Sequence, residues 1–127
     1  EYLRGRVDAA VGAGIRDDAI LVDPGIGFGK TVAHNVALLR SLPQLASIAG
    51  VPLVVGASRK SFLGTLLGGL PVDERDEATL ATTVWAFGQG AALVRVHDVE
   101  SSVRAAALLD VLERATPTGV VAAVEAA

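Results

Sequence analysis

Apolar residues gather in three short runs, and each run ends in a polar cluster. Ala19-Ile20-Leu21-Val22 leads into Asp23-Pro24-Gly25-Ile26-Gly27-Phe28-Gly29-Lys30-Thr31. Val51-Pro52-Leu53-Val54-Val55 leads into Gly56-Ala57-Ser58-Arg59-Lys60-Ser61, and Ala91-Ala92-Leu93-Val94 into Arg95-Val96-His97-Asp98. Between these runs the apolar positions recur at three- and four-residue spacing, the period of a helix with one buried face. Leu3, Val7, Ala10 and Val11 mark a first helix, ended by Gly12 and Gly14. A strand over 19–23 follows. Thr31 caps a second helix, with Val32, Val36 and Leu39 on one face, ending before Pro43. The second strand, 52–56, is a continuous apolar run of the kind buried on both faces. Residues 58–67 read as a short helix and 68–75 as a loop containing Pro71. Asp76 caps the next helix, whose stripe is Ala78, Ala81, Val84 and Trp85, closed by Gly88 and Gly90. The third strand covers 91–96. A last helix, 100–113, turns Val103, Ala106, Ala107 and Val111 inward, and Trp85 and Phe87 read as core.

The strand ends fall about 33 and 39 residues apart. That is the period of repeated β-α units, which require a parallel sheet and right-handed crossovers. The fold class is therefore α/β. Three strands cannot close a barrel, whereas a full (β/α)8 barrel takes about 250 residues, so the chain fits the last three-eighths of one. Parallel strands present ligand-binding groups at their C-terminal ends, which lets the three polar clusters converge on one pocket.

The chain has 127 residues, 51% of them apolar, enough for one domain with a real core. No apolar stretch is long enough to cross a bilayer. With no Cys there is no disulfide or thiol metal site, which fits a cytosolic protein. A net charge of −3 provides no field for nucleic acid. Only two lysines occur, Lys30 and Lys60, each in a loop after an apolar run. Met is absent even at position 1, and the chain opens inside a helical pattern, as expected of a segment of a longer protein.

Several familiar motifs fail on spacing. A phosphate-binding loop needs four residues between its first Gly and the Gly-Lys pair; Gly25 leaves three. A dinucleotide fingerprint needs Gly where Lys30 stands. Gly56-Ala57-Ser58 begins like a nucleophile elbow, but Lys60 replaces the closing Gly. What remains is chemistry by position. Asp23 initiates a turn before Pro24-Gly25, and as a strand-end carboxylate it also accepts two parallel donors, such as a ring N–H and an adjacent amine. Phe28, large and apolar among glycines, suits the cover of a flat ring. Ser58-Arg59-Lys60-Ser61 is a polar turn that favours anions or ring acceptors. Arg95 and His97 project the same way from a strand, roughly 6.6 Å apart, as a phosphate clamp does; the other reading pairs Arg95 with an acidic residue across the barrel and leaves His97 a loop residue. His34, on a helix face, reads as structural or solvated.

Taken together, the three strings resemble dihydropteroate synthase, the bacterial folate-pathway family, from about residue 3 to about 113; 114–127 form an unassigned tail. The matching residues are Asp23 through Thr31 with His34-Asn35, Gly56-Ala57-Ser58-Arg59-Lys60-Ser61-Phe62-Leu63-Gly64, and Arg95-Val96-His97-Asp98-Val99. The resemblance implies the sixth to eighth strands of a pterin-binding TIM barrel. It implies that Asp23, Gly56, Lys60 and Arg95 bind the pterin, with Asp23 on the amino-pyrimidine edge. Gly27, Phe28 and Ser58 then lie towards p-aminobenzoate, and Arg95 and His97 hold the pyrophosphate. Lys60, Arg95 and His97 are the residues it makes catalytic.

The implied reaction joins 6-hydroxymethyl-7,8-dihydropterin diphosphate to p-aminobenzoate with loss of pyrophosphate. It uses Mg2+, whose ligand the resemblance places in a preceding half, and sulfonamides compete with p-aminobenzoate. The implied partners are these small molecules and, for the whole enzyme, a second copy in a cytoplasmic homodimer. No Ser or Cys nucleophile is needed, because the aniline nitrogen is itself the nucleophile. The segment alone is expected to be inactive and poorly folded, since an open three-strand sheet exposes two edges and an apolar flank. Two other readings stand beside this one. One is a pterin-barrel methyltransferase, which the diphosphate clamp argues against; the other is a non-catalytic paralogue or fragment.

Overall fold

A computed structural model describes residues 1–114; nearly all of the tail expected over 114–127 lies outside them. The elements are α1 (Tyr2–Gly12), α2 (Val32–Arg40), α3 (Leu42–Ala49), β1 (Val54–Val55), α4 (Ser61–Leu66), α5 (Asp76–Gly88), β2 (Leu93–Val94) and α6 (Val99–Arg114), with short 3-10 turns at Asp17–Ala19 and Val72–Glu74. The α/β alternation predicted from the sequence is present. β1 and β2 pair in parallel, Val54 with Leu93 and Val55 with Val94, and Val22 joins the far side of Leu53 in a parallel bridge.

The strands are shorter than the apolar runs. The first is a single bridge residue, because Asp17–Ala19 is wound into a 3-10 turn and only Val22 reaches Pro52 and Val54 for its hydrogen bonds. Residues alternate across a sheet. Val22, Leu53 and Val55 face the helices and are buried with Val7, Ile26, Leu39, Leu42, Phe62 and Leu63. Leu21, Val54 and Leu93 take the opposite face, which nothing covers fully: Leu21 and Leu93 stay exposed.

Three helices depart from the expected pattern. Pro43 ends α2 and also opens α3, which the sequence does not announce; a proline's missing N–H is no loss in a first turn. In α5 the buried residues are Thr79, Thr83 and Ala86, not the predicted stripe. Ala81 is exposed, and Trp85 is 47% exposed while its Nε1 donates to Leu39 O at 2.9 Å. Thr79, on the inward face of α5, meets the polar turn at Arg59. Asp76 does not cap α5; it is that helix's first residue and pairs with Arg59. In α6 only Ser102 is buried, whereas Val103 is 61% exposed and Ala107 and Val111 also face out. α6 flanks the unpaired edge of β2, and among the described residues no element packs on its other side. Leu21, Val54, Phe87, Leu93, Val99 and Val103 line an apolar groove of about 590 Å³ along this edge. No described helix is long and apolar enough to cross a membrane.

Candidate active site at the strand ends

The sheet register alone brings two of the clusters together. Val55 lies opposite Val94, so Gly56 lies opposite Arg95 on the face that carries Asp23. Arg95 Nη1 donates to Asp23 Oδ2 at 3.2 Å, closing a gap of 72 residues in sequence. Gly56 leaves the room this needs, since a Cβ there would overlap Arg95 Nη2 and stand 3.0 Å from Cζ. Asp23 performs both tasks the sequence suggested for it. Its Oδ1 accepts from Gly25 N at 2.8 Å, an Asx-type turn, and its Oδ2 faces the rim.

The glycine loop wraps this rim. Gly25, Gly27 and Gly29 have φ of 72°, 82° and 57°. The Lys30 ammonium donates to Gly25 O at 2.8 Å and Phe28 O at 3.0 Å, pinning the loop to itself. From underneath, Asn35 holds the loop. It is 1% exposed, its Oδ1 accepts from Gly27 N at 2.7 Å, and its Nδ2 donates to Thr31 O. The sequence quotes Asn35 in a motif without giving it a task; an amide on the buried face of α2 is the signal that could have found it. Thr31 caps α2 as expected, accepting from His34 N, and His34 itself is exposed.

Lys60 crosses from the second cluster to the first. Its Nζ donates to Ile26 O and sits 4.1 Å from the centre of the exposed Phe28 ring. Burial pushes this ammonium below the ordinary lysine range, Arg95 and Lys30 push the same way, and Asp23 opposes them. The folded chain therefore releases the Lys60 proton before the unfolded chain does. Between that lowered value and the ordinary one the unfolded state binds more protons, so Lys60 makes stability rise with pH across that window.

Ser58 ties the second cluster to the third, with Oγ 2.7 Å from His97 Nδ1 and 3.2 Å from His97 N. Gly56, Ser58, Lys60, Arg95, Val96 and His97 bound a polar cavity of about 160 Å³. The larger apolar groove lies along the sheet edge and has no comparable set of donors.

Between Ser58 and Lys60, Arg59 has φ of 55°, a left-handed conformation that costs a side-chain-bearing residue about 1–2 kcal/mol. α5 and the turn before it hold it there. Arg59 N donates to Thr79 Oγ1 at 2.9 Å, Arg75 Nη1 donates to Arg59 O at 2.9 Å, and the Arg59 guanidinium forks onto both oxygens of Asp76. The same pair raises the Arg59 pKa and holds Asp76 below the usual carboxylate range. Spacing alone gives no sign of this cradle. Arg59→Gly should unfold at higher urea than Arg59→Ala, by about 1 kcal/mol, since both lose the fork but only Ala keeps the strain. Equal midpoints would remove strain from the account.

All eight predicted site residues, Asp23, Gly27, Phe28, Gly56, Ser58, Lys60, Arg95 and His97, thus border one rim. Among the described residues no three His, Asp or Glu side chains come together to hold a metal ion. The set provides one carboxylate, four side chains of positive or polar character (Ser58, Lys60, Arg95 and His97) and an aromatic face, which suits a flat heterocycle with an anionic tail.

The family described as pterin binding enzyme matches residues 1–97. The dihydropteroate synthase of Mycobacterium leprae is 50% identical over 104 residues, covering 78% of this chain and 36% of that protein. That of Neisseria meningitidis serogroup C is 42% identical over 104 residues, covering 82% and 37%. Among solved structures, the Xanthomonas albilineans dihydropteroate synthase in complex with 7,8-dihydropteroate aligns with a TM-score of 0.86 at 40% identity, over 91% of this chain and 44% of that one. A Yersinia pestis counterpart with a pterine-sulfa conjugate aligns at 0.84 and 40%, over 90% and 44%. The chain thus spans well under half the length of these relatives.

Proposed function

The chain belongs to the pterin-binding enzyme family, and from that premise we propose that it supplies the last three β-α units of a TIM barrel that condenses 6-hydroxymethyl-7,8-dihydropterin diphosphate with p-aminobenzoate. One observation carries the reading: Asp23, Lys60, Arg95 and His97, from three loops, border a single rim, with Arg95 on Asp23 and Ser58 on His97. Its relatives of known structure, named for a pterin product and a pterine conjugate, support the same reading.

On this reading Asp23 exchanges the Arg95 guanidinium for the amino-pyrimidine edge of the pterin, and the released guanidinium stacks on the ring. Lys60 meets the pterin, and Gly56 leaves the space it enters. Gly27, Phe28 and Ser58 bound the p-aminobenzoate side. The aniline nitrogen attacks the pterin methylene, the C–N bond forms, and the C–O bond to the diphosphate breaks. Pyrophosphate leaves with the electron pair and the anilinium proton passes to solvent. Arg95 and His97 meet the charge developing on the departing oxygens, where fixed donors act most strongly. Mg2+ belongs to this reading as a group held outside this chain, and no step above runs through it. A cytoplasmic homodimer is the assembly the reading expects.

The test joins this chain to the N-terminal part of the Mycobacterium leprae relative and measures pyrophosphate release. The joined barrel should release pyrophosphate only with p-aminobenzoate present, and the 127-residue chain alone should release none. Turnover by the chain alone, or none by a folded joined barrel, would overturn the proposal. Because Lys60 loses its proton early, the alkaline limb of the joined barrel's rate should fall below the ordinary lysine range and move up in Lys60→Arg. A limb unmoved by that substitution would belong to another group.

A further inference from the structure

We propose that Ser58 is a positioning residue that fixes the tautomer of His97, so that the imidazole offers Nε2–H to a phosphate oxygen of the diphosphate ligand. The ligand half of this statement rests on the function proposed above; the tautomer half rests on geometry alone. A hydroxyl has one proton and two lone pairs. The His97 backbone N–H, 3.2 Å from Ser58 Oγ, can only donate, so it occupies one lone pair. The same oxygen lies 2.7 Å from His97 Nδ1, and Ser58 is 7% exposed. Among the described residues Ser58 Oγ has no hydrogen-bond partner other than these two atoms.

Two arrangements are possible. If Nδ1 carried a proton, Ser58 would accept twice and its own proton would have no protein acceptor among the described residues, a protein hydrogen bond forgone. If Nδ1 is bare, Ser58 donates to it and every group is satisfied. The bare Nδ1 leaves the proton on Nε2, the far side of the ring, which has no protein partner among the described residues. His97 is exposed and shares the 160 Å³ cavity with Arg95 and Lys60. An anion there meets a donor instead of a lone pair. Arg95 then supplies charge and His97 supplies direction.

Imidazole ¹⁵N spectra of the full chain at pH 8.5, where an ordinary imidazole is neutral, test the assignment directly, with His34→Gln to identify the His97 signals. The expected result is one Nε2–H form with an Nδ1 that accepts a hydrogen bond. Ser58→Ala should give a mixture of both tautomers, and Ser58→Thr should restore the single form. An Nδ1–H form in the unsubstituted chain, or a single Nε2–H form unchanged by Ser58→Ala, would overturn the inference. The ligand half is read by titrating inorganic pyrophosphate into the joined barrel. Ser58→Ala should bind it about tenfold more weakly, the worth of one misdirected hydrogen bond, and Ser58→Thr should recover the affinity. Pyrophosphate that fails to bind while the Nε2–H form persists would overturn the reaction proposed above and leave the tautomer assignment supported.

Discussion

Asp23→Asn should weaken binding of the pterin diphosphate to the joined barrel by about 100-fold. The substitution keeps the shape and keeps an oxygen for Gly25 N, so the turn at the strand end survives. It replaces the rim oxygen, now facing Arg95, with an amide NH2, which can only donate. A heterocycle edge made of N–H and amine donors then meets a donor where it had a carboxylate. Removing one partner of an enclosed charged hydrogen-bonded pair costs about 2–5 kcal/mol, and about 3 kcal/mol is 100-fold. The fold should notice little. The Asp23–Arg95 pair is open to solvent on its Arg95 side, and such pairs contribute at most about 1 kcal/mol. Calorimetric titration with the pterin diphosphate and a thermal melt of the same sample read both quantities. Unchanged affinity would remove Asp23 from the site, and a collapse of the melting temperature would make it a structural residue.

In the joined barrel, Gly27→Ala should lose turnover out of proportion to stability, and Gly29→Ala should not. Both glycines have positive φ, 82° and 57°, so either alanine carries about 1–2 kcal/mol of backbone strain. Only at Gly27 does the new methyl group also meet a neighbour. It would overlap Lys60 Cδ and stand 3.3 Å from both Cε and Nζ, whereas the space at Gly29 is open. Lys60 must then move its ammonium off Ile26 O and the Phe28 ring. A displacement of about 1 Å in a catalytic group can cost about 100-fold in rate. The expected pattern is therefore similar melting temperatures for the two variants, and turnover lowered 10–100-fold in Gly27→Ala alone. Parallel losses in both would mean that the loop backbone, not the position of Lys60, controls the rate.

The pair of glycines shows which part of the site the sequence could reveal. Glycine spacing marks a loop, but not which glycine stands against Lys60, 33 residues further on. Asp23, Lys60, Arg95 and His97 were legible because each follows an apolar run, and parallel strands put such residues at one end of a sheet. Asn35 was quoted and given no task, since a buried amide is recognised by what it holds. Of the cradle of Arg75, Asp76 and Thr79, spacing announces nothing, and it gives Asp76 the wrong task. Asp before a helical stripe is a good cap by local rules, yet here its carboxylate serves Arg59 across 17 residues. The stripe of α5 held only in part: Ala78 packs against the core, but the next residue, Thr79, serves the polar backbone of Arg59, which hydrophobic periodicity does not register.

The inward face assigned to α6 failed differently. Its valines repeat at helical spacing, which identifies an amphipathic helix but not whether a partner is present. The edge of β2 beside it is unpaired, so Val99 and Val103 border an open groove. Alternation and periodicity are local properties of a chain, and by themselves they determined the α/β order, the parallel strands and the three polar loops at the strand ends. The contacts among Asp23, Gly56 and Arg95, between Ser58 and His97, and between Arg59 and α5 link residues 17 to 72 positions apart. Only the packed fold decided these, because a hydrogen bond depends on distances of a few tenths of an ångström that linear spacing does not encode.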